Sequence, residues 1–258
     1  MKNKEGDLNM DGQRVDYHYL PSQGVLYPDD IEIYVKPLSV KEQIDMERYG
    51  ISDAEYFQII LDGITIKGNF NKNNLLHSDV QFMDIIRRLY TFDTDDAITI
   101  KEYECPYNDC EGKLDYTFKI SDLAFTDFSK DIFGKEFVLR EGTDDEVKVT
   151  VSPLTSAEYI KMSKQFKKPS KKEALSTMYT DYLCACIRDI EGREFASERD
   201  RNAFLKGLID GTYMNKHKKV LKQIVEETIC KVKPFTAVCP ECGRVVEVEV
   251  RPTSNFQQ

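Results

Sequence analysis

The chain has 258 residues, of which 41% are hydrophobic, 31% charged and 11% aromatic. That is enough apolar side chain to fill one large core or two small ones, and it excludes collagen-like, intrinsically disordered and small disulfide-stapled classes. With 36 Lys+Arg against 45 Asp+Glu the formal net charge is −9, which argues against nucleic acid held over the whole surface. No apolar run approaches the ~20 residues of a membrane helix.

Residues 1–19 read as a polar arm with no apolar segment of a secretion signal. Leu20-Pro21-Ser22-Gln23-Gly24-Val25-Leu26-Tyr27-Pro28 is punctuated by Pro and Gly and cannot be helix. Ile31–Val35 alternates and predicts a strand, ended by Pro37. Ser39 with Glu42 forms a capping box, so Val40–Arg48 should be helical. Further helices are expected at Ala54–Ile64 and, capped by Ser78 or Asp79, up to Tyr90. Ala97–Glu104 and Leu114–Ile120 then predict a hairpin (97–120) with a long tip at Cys105–Gly112.

After a connector at 125–145 the pattern starts again. Glu146–Val151 alternates as a strand. Ser152-Pro153-Leu154-Thr155 echoes Lys36-Pro37-Leu38-Ser39, and Thr155 with Glu158 offers a second capping box. Helices follow through Met162 and over Lys172–Asp189, Glu198–Leu208 and Lys216–Ile229. Gly192–Phe195 sits where Gly68–Phe70 sat. The chain closes with a second hairpin, 235–251, whose tip is Cys239-Pro240-Glu241-Cys242-Gly243. This order predicts an α+β fold of two related lobes produced by internal duplication, 20–124 and 146–258. Each is a small sheet with helices and a cysteine-bearing hairpin, and such lobes are expected to pack about a pseudo-twofold axis.

The seven cysteines are Cys105, Cys110, Cys184, Cys186, Cys230, Cys239 and Cys242. In a reducing compartment clustered cysteines point to metal more than to disulfides. Cys105-x4-Cys110 and Cys239-x2-Cys242 each place two thiols on one turn, beside a Pro and a Gly that shape a tight knuckle. Zinc takes four ligands in a tetrahedron, and two facing knuckles complete a closed four-cysteine site holding one structural zinc per chain. Free thiols, a disulfide, or two incomplete sites with borrowed ligands stand as alternatives. Cys184 and Cys186 point to different faces of a helix and read as small buried residues, and Cys230 as structural.

No nucleophile motif, phosphate loop or HExxH occurs, so the chain reads as no enzyme. His18, His77 and His217 read as surface or cap residues, and Asp93–Asp96 and Asp144–Glu146 as solvated turns. Lysines cluster at Lys161–Lys172 and Lys216–Lys222. They leave a zinc-knuckle nucleic-acid-binding or regulatory protein as the alternative. Sparse Arg and no interleaved aromatics weigh against it, so nucleic acid is not the expected partner.

Three stretches carry a family resemblance: the entry Leu20–Pro28, the turn Val35-Lys36-Pro37-Leu38-Ser39-Val40-Lys41-Glu42, and the helix Leu75–Leu89 followed by a hairpin, with the second Pro-Leu-Thr turn at Pro153. Together, over about 20–165, they resemble the T-even-type phage baseplate hub protein family, base plate proteins of contractile-tailed phages. The resemblance implies a structural or assembly component of the tail hub that binds other baseplate and tail proteins. Its location would be the virion tail baseplate, assembled in the host cytoplasm. The C-terminal third departs from the family pattern, and the cysteines are not a family hallmark.

Overall fold

A computed structural model of the chain describes residues 12–92, 97–119, 122–126, 128–164, 171–212, 214–229 and 232–248. The fold is α+β, as expected from sequence. Among the described residues it has seven α-helices and ten short strands in four small antiparallel sheets. No described helix is long and apolar enough to cross a membrane.

The first sheet orders β1 (Gln13–Val15), β2 (Glu32–Val35) and β3 (Ile64–Lys67). The polarity of 1–19 therefore misassigns its end: Gln13–Val15 pairs with β2 and buries Val15. Between β2 and β3 run α1 (Val40–Glu47) and α2 (Asp53–Asp62). Both start with full capping boxes, Ser39/Glu42 and Ser52/Glu55, which satisfy otherwise orphaned amides of the first turn. α3 (His77–Phe92) then crosses the sheet. It begins before Ser78 and Asp79, so neither caps it. Asp79 is instead buried and accepts from Ser22 N at 2.9 Å, from Ser22 Oγ at 2.5 Å and from the Tyr27 hydroxyl.

The second sheet repeats the first. β6 (Lys135–Leu139), β7 (Val147–Val151) and β8 (Ile187–Ile190) follow the same order, with α4 (Ser156–Ser163) and α5 (Lys171–Cys186) between the last two. Registers correspond. Val15 faces Ile33 and Ile64 faces Val35 in the first sheet; Phe137 faces Val149 and Ile187 faces Val151 in the second. The supposed connector thus contains β6, and the second lobe starts near 132. Its core gathers Ile132, Leu139, Val149, Leu183, Leu205 and Ile224 under α6 (Glu198–Asp210) and α7 (Asn215–Thr228).

Two features depart from symmetric lobes. First, the lobes meet around α4 of the second, which packs mainly along α2 of the first and also touches α3 and the turn Lys72–Asn74. Leu76 and Thr155 form an antiparallel bridge beside it, with His77 N donating to Leu154 O and Ser156 N to Leu75 O. A pseudo-twofold would bury the equivalent face of α1 too, yet Val40 and Ile44 there are exposed; the joint is one-sided. Second, the hairpins β4–β5 (Ala97–Glu104, Lys113–Lys119) and β9–β10 (Phe235–Val238, Val245–Val248) lie together. Val246, Val248 and Cys239 belong to the first lobe's core, not the second's. Phe235 packs 4.8 Å from Phe118, and Phe82 of α3 meets Phe125 edge-on at 5.0 Å. The second hairpin is better grouped with the first lobe.

Candidate metal centre

The hairpin tips are built locally. In the first, Cys105 N donates to Gly112 O at 2.8 Å and Cys110 N to Tyr107 O at 2.9 Å, closing a knuckle over Pro106. In the second, Cys239 N donates to Arg244 O and Gly243 N back to Cys239 O, both at 2.9 Å. Gly243 has φ +68°, the left-handed backbone a knuckle needs. Gly112 has no positive φ; it is required by space, because a Cβ there would lie 2.8 Å from the Cys239 sulfur and 3.1 Å from that of Cys110.

All four predicted ligands, Cys105, Cys110, Cys239 and Cys242, come together with their sulfurs within 4.8 Å of one another. Cys105 Sγ is 3.8 Å from Cys242 Sγ, and Cys110 Sγ is 3.7 Å from Cys239 Sγ. A disulfide needs about 2.05 Å, so neither pair is one. A tetrahedron of thiolates at about 2.3 Å from a central ion has edges of about 3.8 Å. The four-cysteine group therefore has the size of a metal-holding site. The first cysteine of each tip lies beside the second of the other.

The surroundings treat the thiols unequally. Backbone N–H groups of Cys242 and Glu241 draw the Cys239 thiol down to about 7. The Gly112 amide, 3.3 Å from the Cys110 sulfur, stabilises that thiolate, but burial and the neighbouring thiols outweigh it and push Cys110 up to about 12. Four sulfurs this close cannot all ionise without a cation between them, which couples deprotonation to metal binding. With all four positions taken by sulfur, such an ion has no place for water or substrate and acts as a fastener.

Side chains that sequence reasoning missed brace the contact. Arg244 pairs with Asp109 at 2.6 Å and lies over the Tyr107 ring at 4.3 Å. Tyr107 and Tyr103 hydroxyls donate to Val245 O and Glu247 O at 2.9 and 3.0 Å. The available signal was position alone: Tyr107 and Asp109 lie inside the first knuckle and Arg244 follows the second.

Other candidates fall elsewhere. Cys184 and Cys186 are buried away from the cluster, as expected; Cys230 and Asp93–Asp96 lie outside the described residues. His77 and His217 are buried, not superficial. His77 stacks on Tyr159 at 4.7 Å in the lobe joint, and His217 faces Glu141 O at 3.2 Å. Of the first lysine cluster, Lys161 pairs with Glu198 at 2.7 Å. That pair borders a cleft of about 730 Å³ whose other carboxylates, Glu158 and Asp181, are paired to Arg188 and Lys206.

No protein family, curated protein or solved structure matches this chain.

Proposed function

We propose that this chain is a structural or assembly component of the hub region of a contractile phage tail baseplate, derived by internal duplication. It works by binding other baseplate and tail proteins, carries no catalytic role, and is fastened by one structural zinc. The observation that carries this reading is the convergence on α3 of the three stretches resembling the baseplate hub family. Leu20–Pro28 is held by Ser22 and Tyr27 on Asp79. Val35–Glu42 is held by Arg87, which reaches Lys36 O at 2.7 Å and Glu42 at 2.6 Å. The resemblance thus rests on residues that bind to one another in a single buried framework, not on scattered identities.

Four thiolates at tetrahedral spacing suit zinc, with iron the other metal such a set holds, and a closed site with no open position fits zinc's structural role. Joining two hairpins far apart in sequence is a fastening role, and it suits a part that must keep its shape within a larger assembly.

Mass spectrometry of purified particles and of tail-assembly intermediates tests the assignment. The chain is expected in one or both, at fixed stoichiometry with baseplate proteins. Its absence from every particle and intermediate overturns the reading. Retention on nucleic acid that falls steeply with salt favours the zinc-knuckle nucleic-acid alternative instead.

A further inference from the structure

Corresponding registers let the two capping-box helices be superposed residue by residue. Pro37, Ser39, Val40 and Ile44 of the first lobe correspond to Pro153, Thr155, Ser156 and Ile160 of the second, and Met46 to Met162. Met46 and Met162 are both buried in their own lobes. The outer faces differ. Ile160 is 7% exposed and Ser156 fully buried, because the first lobe covers them; Ile44 is 64% exposed and Val40 72%. Pro37 and Ser39 are exposed where Pro153 is buried. Tyr49, just past α1, is wholly exposed as well. The face that forms the lobe joint in one half is therefore open in the other, and its leading position has changed from Ser to Val.

The main chain entering α1 is open too. In the covered copy, Leu154 O accepts from His77 N and Ser156 N donates to Leu75 O, one on each side of the Thr155 bridge. The corresponding acceptor and donor are Leu38 O, met among described residues by the Gln43 amide alone at 3.4 Å, and Val40 N, an orphan of the first helical turn.

Head-to-tail stacking of copies cannot cover this face. The α2 flank that receives α4 is already taken in every copy. The equivalent flank of α5 is taken by α6: Thr180 hydrogen-bonds Asp210, Lys206 pairs with Asp181, and Arg201 reaches Cys184 O and Ile187 O. α6 thus caps the array at the second lobe, as terminal units of repeat proteins are capped.

We infer that the open α1 face is covered by the α1 face of a second copy, forming a two-fold dimer through an antiparallel bridge centred on Ser39 and an apolar contact of Val40, Ile44 and Tyr49. A two-fold pairs both groups at once, Val40 N donating to the partner copy's Leu38 carbonyl and the reverse, because one segment carries both halves of the bridge. The patch is small beside the ~1,200 Å² of stable complexes, so the dimer dissociates on dilution. The inference rests on the matched lobes and not on the baseplate reading, which survives its failure.

Light scattering and sedimentation of the full-length, zinc-loaded chain over a wide concentration range decide it. The mass is expected to rise from one chain to two. Ile44→Asp is expected to stay at one chain at every concentration, with unchanged circular dichroism and metal content, since the side chain is exposed. A photo-crosslinking residue at position 44 is expected to mark residues 36–49 of another copy. A single chain throughout, association that Ile44→Asp leaves intact, or a crosslink to any other segment or protein overturns the inference.

Discussion

Gly112 and Gly243 close the two knuckles for different reasons, Gly112 by space and Gly243 by its left-handed backbone. Gly112→Ala drives a methyl into the sulfur cluster and should lose the metal, whereas Gly207→Ala, whose Cβ meets nothing, should be neutral to stabilising by roughly 0.5–1 kcal/mol. Metal analysis and urea denaturation read the two effects separately. Cys239→Ser should likewise lose the metal, while Cys184→Ala keeps about one zinc per chain and costs only local packing. Equal zinc in all of these would mean that the cysteines do not share an ion. Two buried titratable residues lie two positions apart at the start of α3 and pull in opposite directions. Burial pushes Asp79 from its usual 3.8 up to about 6 against the hydrogen bonds of Ser22 and Tyr27, and pushes His77 from 6.5 down to about 4. Between about pH 4 and 6 the folded Asp79 holds a proton the unfolded chain lacks, so its contribution to stability falls as pH rises. Folded His77 lacks a proton the unfolded chain holds, so its contribution rises with pH up to about 6.5. In the wild type the two slopes nearly cancel. His77→Gln should therefore expose a stability that falls from pH 4 to 6 relative to wild type, and Asp79→Asn one that rises. Each change is on the order of 3 kcal/mol at most. Parallel urea titrations across pH check the signs; slopes of equal sign in the two variants would contradict the burial argument.

At the scale of elements, the capping boxes were legible and the third strands were not. Ser39/Glu42 and Thr155/Glu158 stand where the sequence places them, and each Glu also binds an Arg, Arg87 or Arg188. Ser52/Glu55 caps α2 by the same chemistry, so Ser52→Ala should cost about 1 kcal/mol, read by thermal or urea unfolding. Neither β3 nor β8 was expected, and the helices expected before them overrun into both, by Ile64 in one and by Ile187–Asp189 in the other. Ile64 and Ile187 continue the apolar period of those helices, and only pairing with β2 and β7 turns the chain extended at that point. Non-local hydrogen bonds override a local period in both lobes at the same place. The Arg87 clasp belongs here as well. Its guanidinium is buried where Gly63 leaves room, bonding Lys36 O, Ile59 O and Glu42. Arg87→Ala strands those acceptors and should destabilise the first lobe by about 3–5 kcal/mol.

At the scale of the molecule, the second hairpin crosses to cover the first lobe's core, so an ion held by the four cysteines would fasten residues 232–248 to the first half of the chain. Structural zinc binding is worth on the order of 10 kcal/mol, comparable to the ~5–15 kcal/mol of a whole domain. Chelation should therefore release the hairpins before anything else. Hydrogen exchange is expected to lose protection over 97–119 and 232–248, where Phe118, Phe235, Val246 and Val248 pack together, while 135–228 with its own core stays protected. Uniform loss across the chain, or none, would show that the metal does not act as a local fastener.

What the sequence by itself determined is what short-range chemistry encodes: the α+β class, two capping boxes, both hairpins, and the four cysteines whose C-x4-C and C-x2-C spacing suits one ion. These depend on neighbours within a turn, and propensity and spacing are local quantities. Only the tertiary structure decided which lobe owns the second hairpin, that the lobe joint is one-sided, that Asp79 is a buried acceptor and not a cap, and that Gly112 is excluded from bearing a Cβ by sulfur. Each of these depends on groups distant in the chain competing for the same buried space, and no window of sequence records which of them fills it.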